Sequence, residues 1–170
     1  MTRLYVGPIP LVALGTVGEL ELLDAFDGDP VVPARVRQEV STEPAATNLD
    51  RFLDGRAADP GYGSDDEDLA LRVLGDAEPS SDSAVLAGVL ARMDDGDAAI
   101  GVVSDDRRLR RIADGLGATV TGTFGVVVRA TIADEYLSAD QAKRIVRRID
   151  SHGLHLTGEL REQALGGAGA

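Results

Sequence analysis

The stretch VVSDDRRLRRIADGLGATVTGT, residues 102–123, runs from a short apolar segment into two adjacent aspartates and then into a basic helical pattern. Apolar residues after the aspartates repeat at the spacing of one helical face: Leu109, Ile112, Ala113 and Leu116. A second apolar segment, ATV at 118–120, follows. The stretch therefore predicts a strand, a helix and a strand, and such a crossover favours parallel pairing of the two strands.

The rest of the chain shows the same alternation. Strands are predicted at RLYV (3–6), PVVP (30–33) and AAIGVV (98–103). Helical patterns occupy the intervals and the C-terminal part: one or two short helices within 11–26, then ARVRQEV, TNLDRFLD, 80–93, 125–136, 138–153 and GELREQAL. Strands joined through helices predict an α/β fold with a parallel sheet of about four or five strands and helices on both faces.

The length of 170 residues and the hydrophobic fraction of 44% suit one domain, which we place at residues 1–165. Residues 55–79 begin with a segment rich in Gly, Asp and Pro that lacks periodicity, and we predict a surface loop there. The Gly/Ala sequence at 166–170 predicts a flexible tail.

The charge of the chain is strongly one-sided, with a formal net charge of −12, 20 Asp to 9 Glu, and 16 Arg to 1 Lys. Such acidity is typical of proteins from salt-loving microbes, so we expect a halophilic, archaeal type of protein. At about 1 M salt the Debye length is only about 3 Å, so the net charge does not exclude an RNA partner.

Several function classes are excluded or disfavoured by composition. The chain has no cysteine, which excludes disulfides, thiolate metal sites and cysteine nucleophiles. The two histidines of HGLH (152–155) lack further soft ligands for zinc, and no phosphate-binding glycine motif is present. No apolar run reaches the roughly 18 residues that cross a bilayer, so we expect a cytoplasmic protein without a membrane partner.

Acidic residues stand near the predicted carboxyl ends of the strands, where open parallel sheets place their chemistry. They are Glu39 after the second strand, Asp82 at the head of a helix, and Asp105 and Asp106 after the third strand. Gly7 follows the first strand. A cluster of carboxylates is stable mainly around a divalent cation, and hard oxygen ligands suit Mg²⁺ or Mn²⁺. The simpler alternative for the aspartates is a helix start, in which Ser104 caps the helix after Asp106, Ser80 or Ser81 caps the helix at 80–93, and the aspartates interact favourably with the helix dipole. For Glu39 the alternative is a solvated surface residue.

These segments together resemble the PIN domains, a family of metal-dependent nucleases that includes RNA-cutting toxins and RNA-processing factors. The stretch PLVALGTVGELELL (10–23) is similar to the family's LIALGKIG followed by an LxLL helix, and VVPARVRQEV (31–40) is similar to VPxxVxxEV. SDSAVLAGVLA (81–91) takes the place of GEAEAIALA.

The most specific match is residues 102–130, which resemble LIDDRRARRVAEALGLPVIGTLGLLLRA, and residues 153–165 are similar to GFRISPELYEEAL. The resemblance covers nearly the whole chain. It implies a three-layer α/β/α fold and a divalent-metal-dependent ribonuclease that acts on RNA phosphodiesters, in RNA processing or as a toxin.

The resemblance also implies the site residues. Glu39, Asp82 and Asp106 would bind Mg²⁺ or Mn²⁺, and Asp82, Asp105 and Asp106 would be catalytic. The first metal-binding aspartate of the family falls on Gly7 here, and the next acid along the chain is Glu19. At 1.5 Å per residue, Glu19 lies too far along a helix to replace it. We therefore expect weakened activity, with a catalytically inactive RNA- or protein-binding module as the alternative.

Partners follow from the same reasoning. Arg107, Arg108 and Arg111 form a cationic helix stretch that suits RNA phosphates, and Thr123 follows the next strand with a hydroxyl that suits phosphate. The alternative for these residues is pairing with surface aspartates for the arginines and a helix cap for the threonine. Single-stranded or structured RNA is the expected partner, and an antitoxin and a homodimer are further expected assemblies.

Overall fold

The computed structural model describes residues 2–96, 99–132 and 137–153, and its centre is a four-stranded parallel sheet. The strands are β1 (Arg3–Val6), β2 (Asp29–Val31), β3 (Ile100–Val103) and β4 (Thr119–Thr121). Their order across the sheet is β2-β1-β3-β4. β1 pairs with the edge strand β2 on one side and with β3 on the other, so Tyr5 lies between Val31 and Val102. The predicted parallel α/β architecture is confirmed, including the number of strands.

Helices form two groups around this sheet. The helices are α1 (Pro8–Val17), α2 (Ala34–Glu39), α3 (Ala45–Leu53), α4 (Ser64–Leu74), α5 (Ser81–Asp94), α6 (Arg107–Gly115), α7 (Thr123–Ile132) and α8 (Ala139–Ser151), with a 3-10 helix at Leu20–Ala25. α5 packs against α2, α4 and α6, whereas α1 packs against α3, α7 and α8. This arrangement is the three-layer α/β/α fold.

The core lies on both sides of the two central strands. All four residues of β3 are buried, and β1 buries Leu4, Tyr5 and Val6. A strand that is apolar on both faces suits the centre of a parallel sheet covered by helices. Burial of this continuous apolar surface, at roughly 25 cal/mol per Å², is the main force that holds the layers together.

The predicted surface loop at 55–79 is wrong for its central part, which forms α4. Three acids, Asp65, Asp66 and Glu67, occupy the first turn of α4 and interact favourably with the helix dipole. Ala70 and Leu74, four residues apart, are buried and pack on α5. With only these two buried positions, the apolar periodicity of α4 is too weak to stand out in the sequence.

The predicted helix at 125–136 is observed as α7 up to Ile132, and residues 133–136 lie outside the described part. The predicted terminal helix GELREQAL and the tail at 166–170 also lie outside it. Within the described residues, no helix is both long and apolar enough to cross a membrane.

Candidate active site

The carboxyl ends of β1 and β3 lie side by side at the point where the chain connections diverge. From β1 the chain continues to β2 on one side of the sheet, and from β3 it continues to β4 on the other side. The Gly7 N–H donates to the Val103 carbonyl at 2.9 Å, and the Ser104 N–H donates to the Thr121 carbonyl at 2.9 Å. Ligands of open α/β sheets bind at this kind of crevice.

A cavity of about 290 Å³ opens at this point of the sheet. Its walls come from the first turns of α1 and α5, the end of α2 and the turn after β3: Pro8, Ile9, Pro10, Glu39, Ser80, Ser81, Asp82, Ser104, Asp105 and Asp106. The fold thus brings the four predicted acids to one cavity, although Glu39 and Asp106 are more than 60 residues apart in the chain.

Asp82 occupies the first turn of α5. The helix start is held by a reciprocal pair: the Ser83 N–H donates to the Ser80 Oγ at 3.1 Å, and the Ser80 N–H donates to the Ser83 Oγ at 2.7 Å. This capping leaves the Asp82 carboxylate for the cavity. Burial raises the pKa of Asp82 first, and the nearby Asp106 carboxylate raises it further.

Asp106 is the N-cap of α6, and the predicted cap at Ser104 is therefore wrong. Asp106 Oδ1 accepts from the Leu109 N–H at 2.7 Å, and the Ser104 Oγ accepts from the Asp106 N–H at 3.1 Å. Capping uses one carboxylate oxygen. Asp106 Oδ2 accepts no hydrogen bond from the described residues, so capping and ligand binding are compatible in this side chain.

Both carboxylate oxygens of Asp105 accept hydrogen bonds from Thr123. Its Oδ1 accepts from the Thr123 N–H at 2.8 Å and its Oδ2 accepts from the Thr123 hydroxyl at 2.5 Å. Thr123 is 2% exposed, so its hydroxyl is not presented to a phosphate. A Cβ on Gly122 would lie 2.6 Å from Asp105 Oδ1, so glycine at this position leaves room for the hydrogen bonds between Asp105 and Thr123. The Asp105–Thr123 pair joins the end of β3 to the start of α7.

Gly7 leaves the β1 side of the cavity without a carboxylate. A Cβ built on Gly7 would meet Val103 O at 3.5 Å and Ser104 Oγ at 3.7 Å, which are ordinary contacts. Glu19 lies beyond the far end of α1, where its carboxylate is 3.7 Å from Arg148. The structure thus separates Glu19 from the cavity.

The carboxylates of the cavity are suitable ligands for a hard cation, but few of them lie close together. No three Asp, Glu or His side chains within residues 2–96, 99–132 and 137–153 come close enough to hold one metal ion together. Among the neighbouring carboxylates, Asp106 raises the pKa of Asp82 most, and Glu39 raises it less. Mg²⁺ is commonly bound through one or two carboxylates together with waters and substrate phosphates. The residues therefore fit a weakly held divalent ion.

The predicted RNA-binding arginines differ in their surroundings. Arg107 and Arg111 are exposed on α6. Arg108 is bound to Asp76 through both carboxylate oxygens, at 3.0 and 3.1 Å. Sequence reasoning missed Asp76, because its proximity arises only when the turn after α4 packs beside α6.

The fold and the cavity define a doubly wound parallel α/β protein with an acidic site at the point where the connections diverge. A family model described as a PIN domain (DUF3368) matches residues 8–170. The chain therefore belongs to the PIN domain family, and the resemblance stated from its motifs is confirmed. No curated protein and no solved structure matched the chain.

Proposed function

We propose that this protein is a weakly active Mg²⁺- or Mn²⁺-dependent endoribonuclease of the PIN type. The observation that carries the proposal is the pairing of Asp82 and Asp106 in the cavity at the ends of β1 and β3. Two half-buried carboxylates repel each other, and here this repulsion raises the pKa of Asp82. Such an arrangement is favourable mainly when both carboxylates bind one cation. Membership of the PIN family supports a nuclease-like activity.

The residues of the chain would divide the work as follows. Asp82 and Asp106 would hold the ion, with Glu39 at the exposed rim of the cavity. A bound divalent ion would stabilise charge on the phosphodiester and make a water more acidic. Asp105 would act through its tie to Thr123, which orients the turn that carries Asp106.

The expected weakness of the activity comes from Gly7. A carboxylate there would add a ligand on the β1 side, where the space around the glycine accepts a Cβ. We expect Gly7→Asp to raise the affinity for Mn²⁺ by about tenfold or more, the scale on which even supporting residues act. Isothermal titration with Mn²⁺ would measure this, and a fluorogenic single-stranded RNA would report cleavage by both proteins.

The matched controls are Asp106→Asn and Asp82→Asn, which keep the shape of each side chain and remove its charge. Both should abolish Mn²⁺ binding and cleavage. If the parent protein cuts as fast as Gly7→Asp and loses nothing on Asp106→Asn, this cavity does not carry the reaction.

A binding module without catalysis is the second candidate. The absence of a three-carboxylate cluster among the described residues favours it. RNA binding by both the parent and Gly7→Asp, without Mn²⁺ binding or cleavage by either, would establish this candidate. A toxin role, an antitoxin partner and a homodimer are further proposals, and a small gene for a DNA-binding antitoxin beside this gene would support the first two.

A further inference from the structure

Arg108, in the first turn of α6, is held by three hydrogen bonds. Its Nη1 donates to the Leu74 carbonyl at 3.0 Å and to Asp76 Oδ1 at 3.0 Å, and its Nη2 donates to Asp76 Oδ2 at 3.1 Å. The Arg108 side chain is 48% exposed and that of Asp76 is 27% exposed. The guanidinium is thus fixed in orientation and still open to solvent.

Two of the five N–H groups of this guanidinium make no hydrogen bond with the described residues. They are the Nε–H and the second Nη2–H, because the three bonds to Leu74 and Asp76 use the other donors. These two N–H groups lie on the same edge of the planar group. Such an edge matches two oxygens of one phosphate or carboxylate in a two-point contact.

The free edge of Arg108 belongs to a cation whose neighbours are mostly acids. The charged groups that act on the pKa of Asp82 are Asp106, Arg108, Asp76 and Glu39, and Arg108 is the cation of that set. A phosphodiester that approaches the cavity is repelled by the acids. Arg108 follows the cavity-lining Asp106 by two residues at the start of α6, so its guanidinium offers the phosphodiester an attractive contact near these acids.

We propose that Arg108 binds two non-bridging oxygens of an RNA phosphodiester through its Nε/Nη2 edge, and that Asp76 is the positioning residue that orients this edge. The choice of RNA rests on the proposed function, whereas the phosphate contact rests on the geometry of Arg108. Among the described residues, nothing anchors Arg107 and Arg111 in this way, so they contribute charge without orientation.

Arg56 provides a matched control within the same chain. Its Nη1 and Nη2 donate to the two oxygens of Asp24 at 2.8 Å each, as in the Arg108–Asp76 pair. Its Nε, however, donates to the Phe52 carbonyl at 2.7 Å, and the guanidinium stacks on the Phe52 ring at 3.9 Å. Arg56 therefore has the same ion pair without a free two-donor edge.

The first experiment measures binding of a short fluorescein-labelled single-stranded RNA by anisotropy in EDTA, at the lowest KCl concentration at which the protein stays folded. Arg108→Lys keeps the charge but removes the two-point edge, so we expect the dissociation constant to rise about tenfold, as for the loss of one charge-assisted hydrogen bond. Arg56→Lys should leave RNA binding unchanged. Unchanged binding by a folded Arg108→Lys protein would overturn the proposal.

The second experiment tests the role of Asp76 by a double-mutant cycle. Asp76→Ala removes a negative charge, which by itself favours RNA, so its single effect is not diagnostic. If Asp76 orients the guanidinium, the loss caused by Arg108→Lys should shrink from about tenfold to about twofold in the Asp76→Ala background. An equal loss in both backgrounds would show that Asp76 does not position Arg108.

Two further readouts separate this inference from the nuclease proposal. RNA binding that depends on Arg108, without cleavage in Mn²⁺, supports the phosphate contact and counts against the nuclease. Cleavage by Arg108→Lys with an unchanged KM supports the nuclease and counts against the phosphate contact. Single-stranded DNA should show the same Arg108 dependence, whereas a loss confined to RNA would place the contact on the ribose and overturn the phosphate assignment.

Discussion

At the scale of single residues, the candidate site depends on a side chain whose charge is unfavourable in the folded protein. Asp82 lies half-buried beside Asp106, and burial raises its pKa above the ordinary value of 3.8. The unfolded chain therefore releases this proton at a lower pH than the folded protein does. As pH rises through the window above 3.8, the folded state binds more protons than the unfolded state, and stability falls.

We expect Asp82→Asn to raise the melting temperature at pH 7 by roughly 2–4 °C, the shift that about 1 kcal/mol produces in a chain of this size. The amide removes the buried charge but keeps the shape of the side chain. At a pH well below 3.8, by at least about one unit, the difference should vanish, because Asp82 is then protonated in both states. Thermal melts by circular dichroism without divalent metal would measure this.

The control for net charge is Asp54→Asn, since Asp54 is an exposed residue at the end of α3. If both variants gain the same stability at pH 7, the gain reflects the charge of the whole molecule and Asp82 is not specially strained.

At the scale of elements, α5 is the helix that ties the site to the sheet. It contributes Asp82 at its first turn and packs across β1 and β3. Gly88 in its middle allows this approach, because a Cβ there would lie 2.4 Å from Cε1 of the fully buried Tyr5. Burial also raises the pKa of Tyr5 to about 12, so its ring stays neutral in the core.

We expect Gly88→Ala to destabilise the protein by about 1–3 kcal/mol, because the cost of overpacking outweighs the gain in helix propensity of about 1 kcal/mol. Urea unfolding would measure the loss. Gly115→Ala in α6 is the matched control, since a Cβ there meets nothing within 4 Å. A Gly88→Ala protein as stable as Gly115→Ala would mean that α5 does not pack as closely on Tyr5 as described.

At the scale of the whole molecule, the dominant feature is the net charge of −12. This value already counts every arginine, and ion pairs such as Arg37–Asp50 are solvent-exposed. Exposed pairs of this kind contribute little, typically below about 1 kcal/mol. The remaining like charges repel each other unless salt screens them.

We therefore expect the melting temperature to fall as KCl is diluted from a molar concentration to about 0.1 M, where the Debye length grows from about 3 Å to about 10 Å. Differential scanning calorimetry over this range would test the salt adaptation. A melting temperature that stays constant or rises on dilution would contradict it, and a size-exclusion profile at each salt concentration would separate unfolding from a change of assembly.

The sequence was sufficient for the alternation of strands and helices, because apolar periodicity in β1, β3, α5 and α6 is strong and local. The sequence was insufficient to predict α4. Only two residues of this helix are buried, and they are buried because α4 packs on α5. The parallel sheet could be predicted because a helical crossover imposes parallel pairing.

For the site, the acidic residue types could be read from the chain itself, and the missing carboxylate at Gly7 followed from its resemblance to the PIN family. What each acid does was decided by tertiary contacts: Asp106 caps α6 with one oxygen, and Asp105 binds Thr123 with both. The free edge of Arg108 likewise depends on Asp76, 32 residues away. Sequence determines which groups are available, whereas hydrogen-bond partners distant in the chain determine which of their atoms remain open to a ligand.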